Sequence, residues 1–141
     1  MTGLELLTAW YERIWVKGDL SGLDEYFERD ASAGGLMSDL ATELEDFRAL
    51  IPAVLLRLRD ISFEVEDAME LGDRAWMRMT LRARRAEDMN PVSISGQVMI
   101  RTRHGKIVEA HNAFDLLSYF EQMGNLPRDT IALCLAGEEL R

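Results

Sequence analysis

Three polar side chains stand close together near the end of a predicted strand: His111, Asn112 and Asp115. The residues around them form a strand and then an apolar segment, a pattern that builds a hydrophobic core. A polar group in such a segment costs free energy unless it is paired, exposed or used. A carboxylate and an imidazole commonly transfer protons in enzymes, so this segment is where we predict a site.

The chemistry that suits these groups is the removal of a proton next to a carbonyl. A carboxylate does this best in a desolvated pocket, where burial raises its pKa. A hydrogen-bond donor must also hold the enolate oxygen. We predict Asp115 and His111 as catalytic residues, with Asp115 partly buried, and as pocket residues Asn112, Tyr11 and Tyr26. Strand alternation places His111 and Asp115 on one face and Asn112 on the other, whereas a bulge would exchange His111 and Asn112. Which of these two residues is the partner of Asp115 therefore stays open.

The same residues also have ordinary structural interpretations. Asp115 can cap a short helix that begins at Leu116, and His111 can be a paired core or interface histidine. Cys134 is the only cysteine, which excludes an intramolecular disulfide, and its apolar neighbours predict a buried, inert thiol. Two histidines and scattered carboxylates have no metal-ligand spacing, so we expect neither a metal nor a cofactor.

Length and composition limit the classes of protein. The chain of 141 residues predicts a single domain, residues 1–141, with 48% hydrophobic and 29% charged residues as in globular proteins. Its net charge of -9 argues against nucleic acid and anionic membrane surfaces as partners. No apolar run approaches the roughly 20 residues that span a bilayer, and no basic leader precedes Leu4, so we expect a cytoplasmic protein.

The elements that must hold these groups begin with helices. A capping box, Thr2 with Glu5, precedes apolar residues at helical spacing. Ser21 is the expected cap of a short second helix, and residues 30–41 predict a loop with a short strand. A second capping box, Thr42 with Glu45, predicts a third helix, which a proline at position 52 should kink or break.

The second half of the chain alternates with period two. Apolar and polar residues alternate over 61–66, 75–84, 92–101 and 107–115, with turn residues between these segments. Four strands joined by short turns predict an antiparallel, curved sheet. Gly96 in mid-strand predicts a bulge or a sharp bend, and residues 127–137 predict a final helix.

Several short motifs follow one another along the chain: Trp10-Tyr11-Glu12-Arg13-Ile14-Trp15, Lys17-Gly18-Asp19-Leu20, Asp24-Glu25-Tyr26-Phe27, Gly72-Asp73-Arg74, Gly105-Lys106-Ile107-Val108-Glu109, Phe114-Asp115 and Glu121-Gln122-Met123-Gly124. Their order and spacing over residues 5–127 resemble the SnoaL-like branch of the NTF2-like superfamily. The resemblance implies an α+β fold, a cone-shaped barrel of three N-terminal helices on a strongly curved, mostly antiparallel sheet, with a short C-terminal helix. It also implies a mostly apolar pocket and a homodimer formed through the outer sheet face.

The resemblance also implies a range of activities, since such proteins include polyketide cyclases, steroid isomerase-like enzymes and dehydratases. In the cyclases, an aspartate that matches Asp115 is the general acid/base of an aldol closure. The chain departs from that pattern in two places. Where the cyclases carry a histidine it reads Arg82-Ala83-Arg84-Arg85-Ala86, and their glycine-rich loop is replaced by Glu87-Asp88-Met89-Asn90-Pro91.

Three functions therefore stay open. The first is an isomerase, cyclase or dehydratase that uses Asp115 without a cofactor on a small lipophilic carbonyl compound. The second is a small-molecule-binding module with the same pocket and no turnover. The third is a dimeric interaction domain with a vestigial pocket. An Asp115 with a raised pKa that faces a donor across an open cavity would favour the enzyme. A closed apolar cavity would favour the binding module, and a filled cavity would favour the interaction domain.

Overall fold

A five-stranded sheet with helices packed against one face forms the protein in a computed structural model, which describes residues 1–34 and 44–141. The helical elements are α1 (Gly3–Trp10), a π-helix (Tyr11–Val16), a 3-10 turn (Leu20–Gly22), α2 (Leu23–Tyr26), α3 (Leu44–Leu55), α4 (Leu116–Met123) and α5 (Thr130–Leu135). The strands are β1 (Phe27–Gly34), β2 (Leu58–Leu71), β3 (Arg74–Arg85), β4 (Pro91–Arg103) and β5 (Lys106–Phe114). The α+β architecture predicted from the sequence is confirmed.

The first capping box forms as predicted. The Glu5 amide donates to the Thr2 hydroxyl and the Thr2 amide donates to the Glu5 carboxylate, each at 3.1 Å. The second helix begins differently, because the Ser21 amide donates to the Asp19 carboxylate at 3.1 Å. Asp19 therefore caps this turn instead of Ser21, because its carboxylate, two residues earlier, accepts the hydrogen bond of the free Ser21 amide.

Pro52 does not break the third helix, which runs from Leu44 to Leu55 without interruption. Ile51, directly before the proline, is fully buried and anchors this helix in the core. The burial of its apolar face outweighs the missing amide, so the predicted break at this position is wrong. Thr42, the predicted cap, and residues 35–41 of the predicted loop lie outside the described residues. The short strand expected there is β1.

The sheet has the strand order β1-β5-β4-β3-β2, with β2 to β5 antiparallel and β1 parallel to β5. The predicted bulge at Gly96 is absent, because β3 and β4 pair without a shift from Arg74 opposite Arg101 to Arg84 opposite Pro91. Register shifts occur instead on other strands, including two along β2. The four predicted strands are therefore confirmed, and β1 adds a fifth.

The core lies between the N-terminal helices and one side of the sheet, which we call the inner face. The buried side chains that meet there are Leu6, Leu7, Trp10, Tyr11 and Ile14 from the helical segment, and Ala75, Met77, Met79, Val98, Ile100 and Ala110 from the sheet. The opposite side, the outer face, carries the alternate residues of each strand. Burying one face of an antiparallel sheet suffices to form a core.

Helix α4 closes an edge of the sheet. Strand β5 ends opposite Gly96, so the first part of β4 extends beyond it. The Gln122 side chain continues the pairing, since its amide nitrogen donates to the Ser93 carbonyl and its oxygen accepts from the Ser93 amide, both at 2.8 Å. The Asp115 amide donates to the Ser95 carbonyl at 3.0 Å. The edge amides and carbonyls of β4 thus find partners in α4.

The last helix, α5, confirms the helix predicted in the C-terminal segment. Cys134 lies on it and is exposed, so the prediction of a buried thiol is wrong. The apolar run around this cysteine goes round every side of a short helix that buries only part of its surface, and Leu135 beside it is 83% exposed. A run of apolar residues does not by itself say which of them a short terminal helix buries.

Candidate functional site

Strand alternation places His111 and Asn112 on opposite faces of the sheet. From Glu109 to Phe114, β5 pairs with β4 without a bulge, so the side chains alternate regularly. Asn112 shares the inner face with the buried Ala110, two residues before it, whereas His111 lies on the outer face. The alternative in which a bulge exchanges the two residues does not occur.

Asp115 is exposed and caps α4. Its carboxylate accepts a hydrogen bond from the Ser118 amide at 3.1 Å, which is the N-cap arrangement. The partial burial that we predicted for Asp115 is wrong, because β5 ends at Phe114 and the chain turns directly into a helix whose first amides need an acceptor. The assignment of Asp115 as a catalytic base stays a prediction.

His111 belongs to a charged row on the outer face. Its Nε2 atom lies 2.8 Å from the Glu109 carboxylate, which also accepts a hydrogen bond from Arg101 at 2.8 Å. His111 and Arg101 together lower the pKa of Glu109 to about 2. The His111 side chain is 53% exposed. His111 thus pairs with Glu109 and Asp115 with the Ser118 amide, so the predicted catalytic pair is not joined by a hydrogen bond.

The inner face becomes accessible at one end of the sheet. On β3 the exposure rises from 0% at Met79 to partial exposure two residues later, and on β5 it rises in the same way from Ala110, at 4%. On β4 it rises from Val98, at 2%, to partial exposure at Ile94, and Val92 near the end of the strand is again buried, at 5%. The partly exposed residues beyond this level form a surface that we call the mouth: Phe63, Leu81, Ile94, Asn112 and Phe114. The mouth is apolar apart from the carboxamide of Asn112, which can both donate and accept hydrogen bonds.

Tyr11 lies in the core directly behind the mouth. Its side chain is 4% exposed and its ring lies 5.9 Å from that of Phe63, centroid to centroid. Burial raises the pKa of Tyr11, so its hydroxyl stays protonated and can donate. This hydroxyl makes no hydrogen bond to another described residue, yet none of the fully occluded side-chain oxygen or nitrogen atoms in residues 1–34 and 44–141 lacks a partner. The Tyr11 oxygen therefore reaches accessible space.

Tyr26 lies in a different environment. Its ring meets Trp10 edge-on at 6.3 Å and lies 5.8 Å beneath the guanidinium carbon of Arg13. Arg13 also forms ion pairs with Asp19 and Glu25. This cluster joins the π-helix to α2. Of the tyrosines predicted for the pocket, Tyr11 is the one that contacts a mouth residue, Phe63.

A second, open groove of about 500 Å³ lies where the cyclase pattern has its histidine. Its lining includes Arg82 and Arg84, and each arginine has an acidic neighbour: Glu64 lies 2.9 Å from Arg82, and Asp60 lies 3.9 Å from Arg84. Both arginine side chains are at least half exposed. These charges are compensated and solvated, so the groove offers no concentrated positive field.

Of the five mouth residues, only Asn112 was among the site residues predicted from the sequence, and Phe63, Leu81, Ile94 and Phe114 were not. Phe114 was assigned only to a family motif, although the alternation that places Asn112 inward also places Phe114 inward. Within the described ranges, no group of three or more His, Cys, Asp or Glu side chains is arranged to hold a metal ion. Nor does any helix there combine the length and apolar character needed to cross a membrane.

Comparison with known structures relates this arrangement to other proteins. IdmH, a candidate polyketide cyclase from Streptomyces antibioticus, superposes with a TM-score of 0.73 at 21% identity, over 86% of this chain and 97% of that one. AclR, a candidate hydroxylase from Streptomyces galilaeus, superposes with a TM-score of 0.70 at 24% identity, over 88% and 93%. A protein of ketosteroid isomerase-like fold from Catenulispora acidiphila, solved with trimethylamine, gives 0.72 at 21% identity, over 92% and 98%.

At these identities the likeness shows the fold and leaves the activity open. No protein with a curated description matches the chain significantly. The sequence model of the SnoaL-like domain matches residues 7–110, which contain most of the core and three of the five mouth residues, Phe63, Leu81 and Ile94. This match and the helices packed on a curved sheet lead to one conclusion: the chain belongs to the SnoaL-like family, with the NTF2-like fold.

Proposed function

We propose that this protein binds a small lipophilic carbonyl compound at the mouth of the barrel, with the Tyr11 hydroxyl as the donor to the carbonyl oxygen. The observation that carries the proposal is this hydroxyl, which is buried, protonated and without a hydrogen bond to another described residue. A ligand oxygen that displaced water from this hydroxyl would accept its hydrogen bond within an otherwise apolar surface. The apolar side chains of the mouth suit a lipophilic ligand.

A pair of probes tests this proposal: 2-acetylnaphthalene, which has a carbonyl, and 2-ethylnaphthalene, which lacks one. We expect Tyr11→Phe to weaken the ketone by roughly three- to tenfold, since one hydrogen bond is lost, and to leave the hydrocarbon unchanged. Tyr26→Phe is the matched control and should alter neither affinity. Calorimetric titration measures the affinity of each probe for the wild-type protein and for both variants. A wild-type protein that binds the hydrocarbon as tightly as the ketone would contradict the role of Tyr11.

A cofactor-independent isomerase, cyclase or dehydratase is the second candidate. It is favoured by the protonated Tyr11 hydroxyl, because a neutral donor in an apolar site stabilises an enolate oxygen. The candidate cyclase IdmH supplies the kind of reaction. In this proposal Asp115 takes the α-proton and returns it, whereas His111, on the outer face and paired with Glu109, has no part in the reaction. The exposed position of Asp115 requires the ligand to reach beyond the mouth.

Proton abstraction can be measured without knowing the natural substrate. In D₂O, a base that removes methyl protons from 2-acetylnaphthalene replaces them with deuterium, and proton NMR follows the loss of the methyl signal. We expect the wild-type protein to accelerate this exchange and Asp115→Asn to abolish the acceleration, because an amide cannot take the proton. If the ligand bound and the exchange were not accelerated, binding would be the only function supported. Acceleration that survives in Asp115→Asn would exclude Asp115 as the base.

We further propose a homodimer formed through the outer face. Met69, Trp76, Met99 and His111 are successive cross-strand neighbours there, in one row over four strands. An aromatic and two methionines beside a charged rim have the composition of a protein interface. Met69 is 63% exposed in the single chain, which leaves this row accessible to a second copy.

A further inference from the structure

Gly96 is a glycine in the middle of a regular strand. It lies on the inner face of β4, opposite Met79 on one side and Phe114 on the other, and the pairing with β3 is unbroken. Its backbone therefore needs neither a bulge nor a turn. A glycine in a strand interior weakens the strand, and often marks a place where another group must approach the backbone closely.

The group that approaches is the ring of Phe114. A Cβ atom built on Gly96 would lie 2.6 Å from both Cγ and Cε1 of Phe114, and nearest to Cδ1 between them. If this Cβ position lay in the plane of the ring, beyond its edge, it would be much farther from Cγ and Cε1. The short distances therefore place the Cβ position over the face of the ring. One face of Phe114 rests on the backbone of β4, where any side chain at position 96 would displace it.

The other face of the ring is turned away from the backbone of β4, on the inner side of the sheet, where Phe114 packs beside the core. Phe114 stays partly exposed there, at the level where the buried Met79 gives way to the accessible part of the inner face. Asn112 precedes it by two residues on the same strand and faces the same side. A flat apolar ring and a carboxamide thus stand next to each other along β5.

We propose that Phe114, laid flat on Gly96, is the residue that makes this site select flat, unsaturated ring compounds. The proposal rests on the proposed function, in which a lipophilic carbonyl compound binds at the mouth. A planar π-system gains offset stacking against the open face of Phe114, whereas a puckered ring of similar size touches it with fewer atoms. Gly96 is required because, without a side chain, it lets the ring of Phe114 pack face-on against the backbone of β4 and so leaves the mouth open.

Two ketones of similar size test the selection: the flat 2-acetylnaphthalene and its puckered, saturated counterpart 2-acetyldecalin. We expect the wild-type protein to prefer the flat ketone. Phe114→Leu should weaken the flat ketone roughly three- to tenfold and the puckered one less than about twofold, since leucine keeps apolar volume without a ring. Phe120→Leu is the matched control, because Phe120 is a 39% exposed ring on α4 outside the mouth, and should change neither affinity.

Gly96→Ala is the second variant. Its methyl group would meet the face of Phe114 and push the ring toward the barrel interior, so we expect a loss for the flat ketone at least as large as in Phe114→Leu. Because this substitution crowds a packed position, circular dichroism checks its folding, and Phe114→Leu carries the test if it fails to fold. A Gly96→Ala protein that folds and keeps the wild-type preference would overturn the role of Gly96.

The outcomes separate the two proposals. If neither ketone binds to the wild-type protein, the proposed function fails and the selection falls with it. If both ketones bind, and Phe114→Leu leaves the ratio of their affinities unchanged, the selection by Phe114 is overturned while the proposed function stands. A selective loss of the flat ketone in Phe114→Leu, with Phe120→Leu unchanged, supports the inference.

Discussion

The two faces of one strand, β5, have opposite characters. Its inner face carries Ala110, Asn112 and Phe114, which run from the core to the mouth. Its outer face carries Glu109 and His111, which form a charged row with an arginine of β4. Of the two groups predicted as catalytic, His111 lies on the outer face and Asp115 lies beyond the end of the strand, whereas the groups that a ligand would meet lie on the inner face. Chemical type alone therefore does not identify a site, since strand parity decides which side chains meet.

The largest effect that this contrast predicts is on stability. Met79 on the inner face is fully buried, and its neighbour Arg78 on the outer face is exposed. We expect Met79→Ala to lower the free energy of unfolding by about 2–5 kcal/mol, through lost contacts and a cavity. Arg78→Ala is the adjacent control and should change it by less than about 0.5 kcal/mol. Urea denaturation measures both. Equal losses in the two variants would contradict the assignment of the faces.

The second prediction concerns the proposed dimer. Trp76 lies in the middle of the outer-face row, and its indole nitrogen donates to Gln97 at 2.9 Å. A central aromatic in a symmetric interface typically contributes about 2 kcal/mol or more, so Trp76→Ala should raise the dimer dissociation constant by about thirtyfold. Analytical ultracentrifugation at several concentrations measures this. A wild-type protein that stays monomeric at micromolar concentration would disprove the dimer.

The third prediction tests Asp115 as a helix cap. Asp115→Ala removes the acceptor of the Ser118 amide and should lower stability by about 1 kcal/mol, whereas Asp115→Asn, which can still cap, should change it by a few tenths. Neither should alter ketone affinity, because the side chain is exposed beyond the strand. Thermal unfolding measures the first effect and titration the second. A large loss of affinity in Asp115→Asn would place this carboxylate against the ligand.

Local patterns predicted most of the fold. The Thr2–Glu5 capping box and the four alternating segments depend on neighbours in sequence, and each forms where the pattern indicated. The parallel pairing of β1 with β5 joins residues far apart in the chain, so nothing local announces it. Gly96 shows the same limit: the residue type was informative, but its reason is a ring on another strand.

The candidate site was harder to predict than the fold. The alternation argument correctly separated His111 from Asn112, but it could not tell that β5 ends at Phe114, and this end decides that Asp115 becomes a cap. Strand ends depend on tertiary packing, here on α4 closing the edge of β4. Tyr11 was one of several possible donors, and only its burial and its contact with Phe63 single it out.

The smallest predicted effect is a pH dependence on the outer face. His111 and Arg101 lower the pKa of Glu109 from 4.5 to about 2, so the folded state favours the ionised carboxylate. A lowered pKa in the folded state contributes stability above the unfolded value, and this contribution is lost as the pH falls toward the folded value. The stability difference between wild type and Glu109→Gln should therefore shrink as the pH falls from 4.5 to 2. Because the groups are near the surface, added salt should reduce it.

Urea denaturation at a series of pH values measures this difference. Asn112→Ala, on the other face of the same strand, provides the contrast, since its effect on stability involves no ionisation and should not vary with pH in this window. If the Glu109→Gln difference were independent of pH between 5 and 2, the charged row would not hold the carboxylate in its ionised form, and the outer face would lack the electrostatic character that distinguishes it from the inner one.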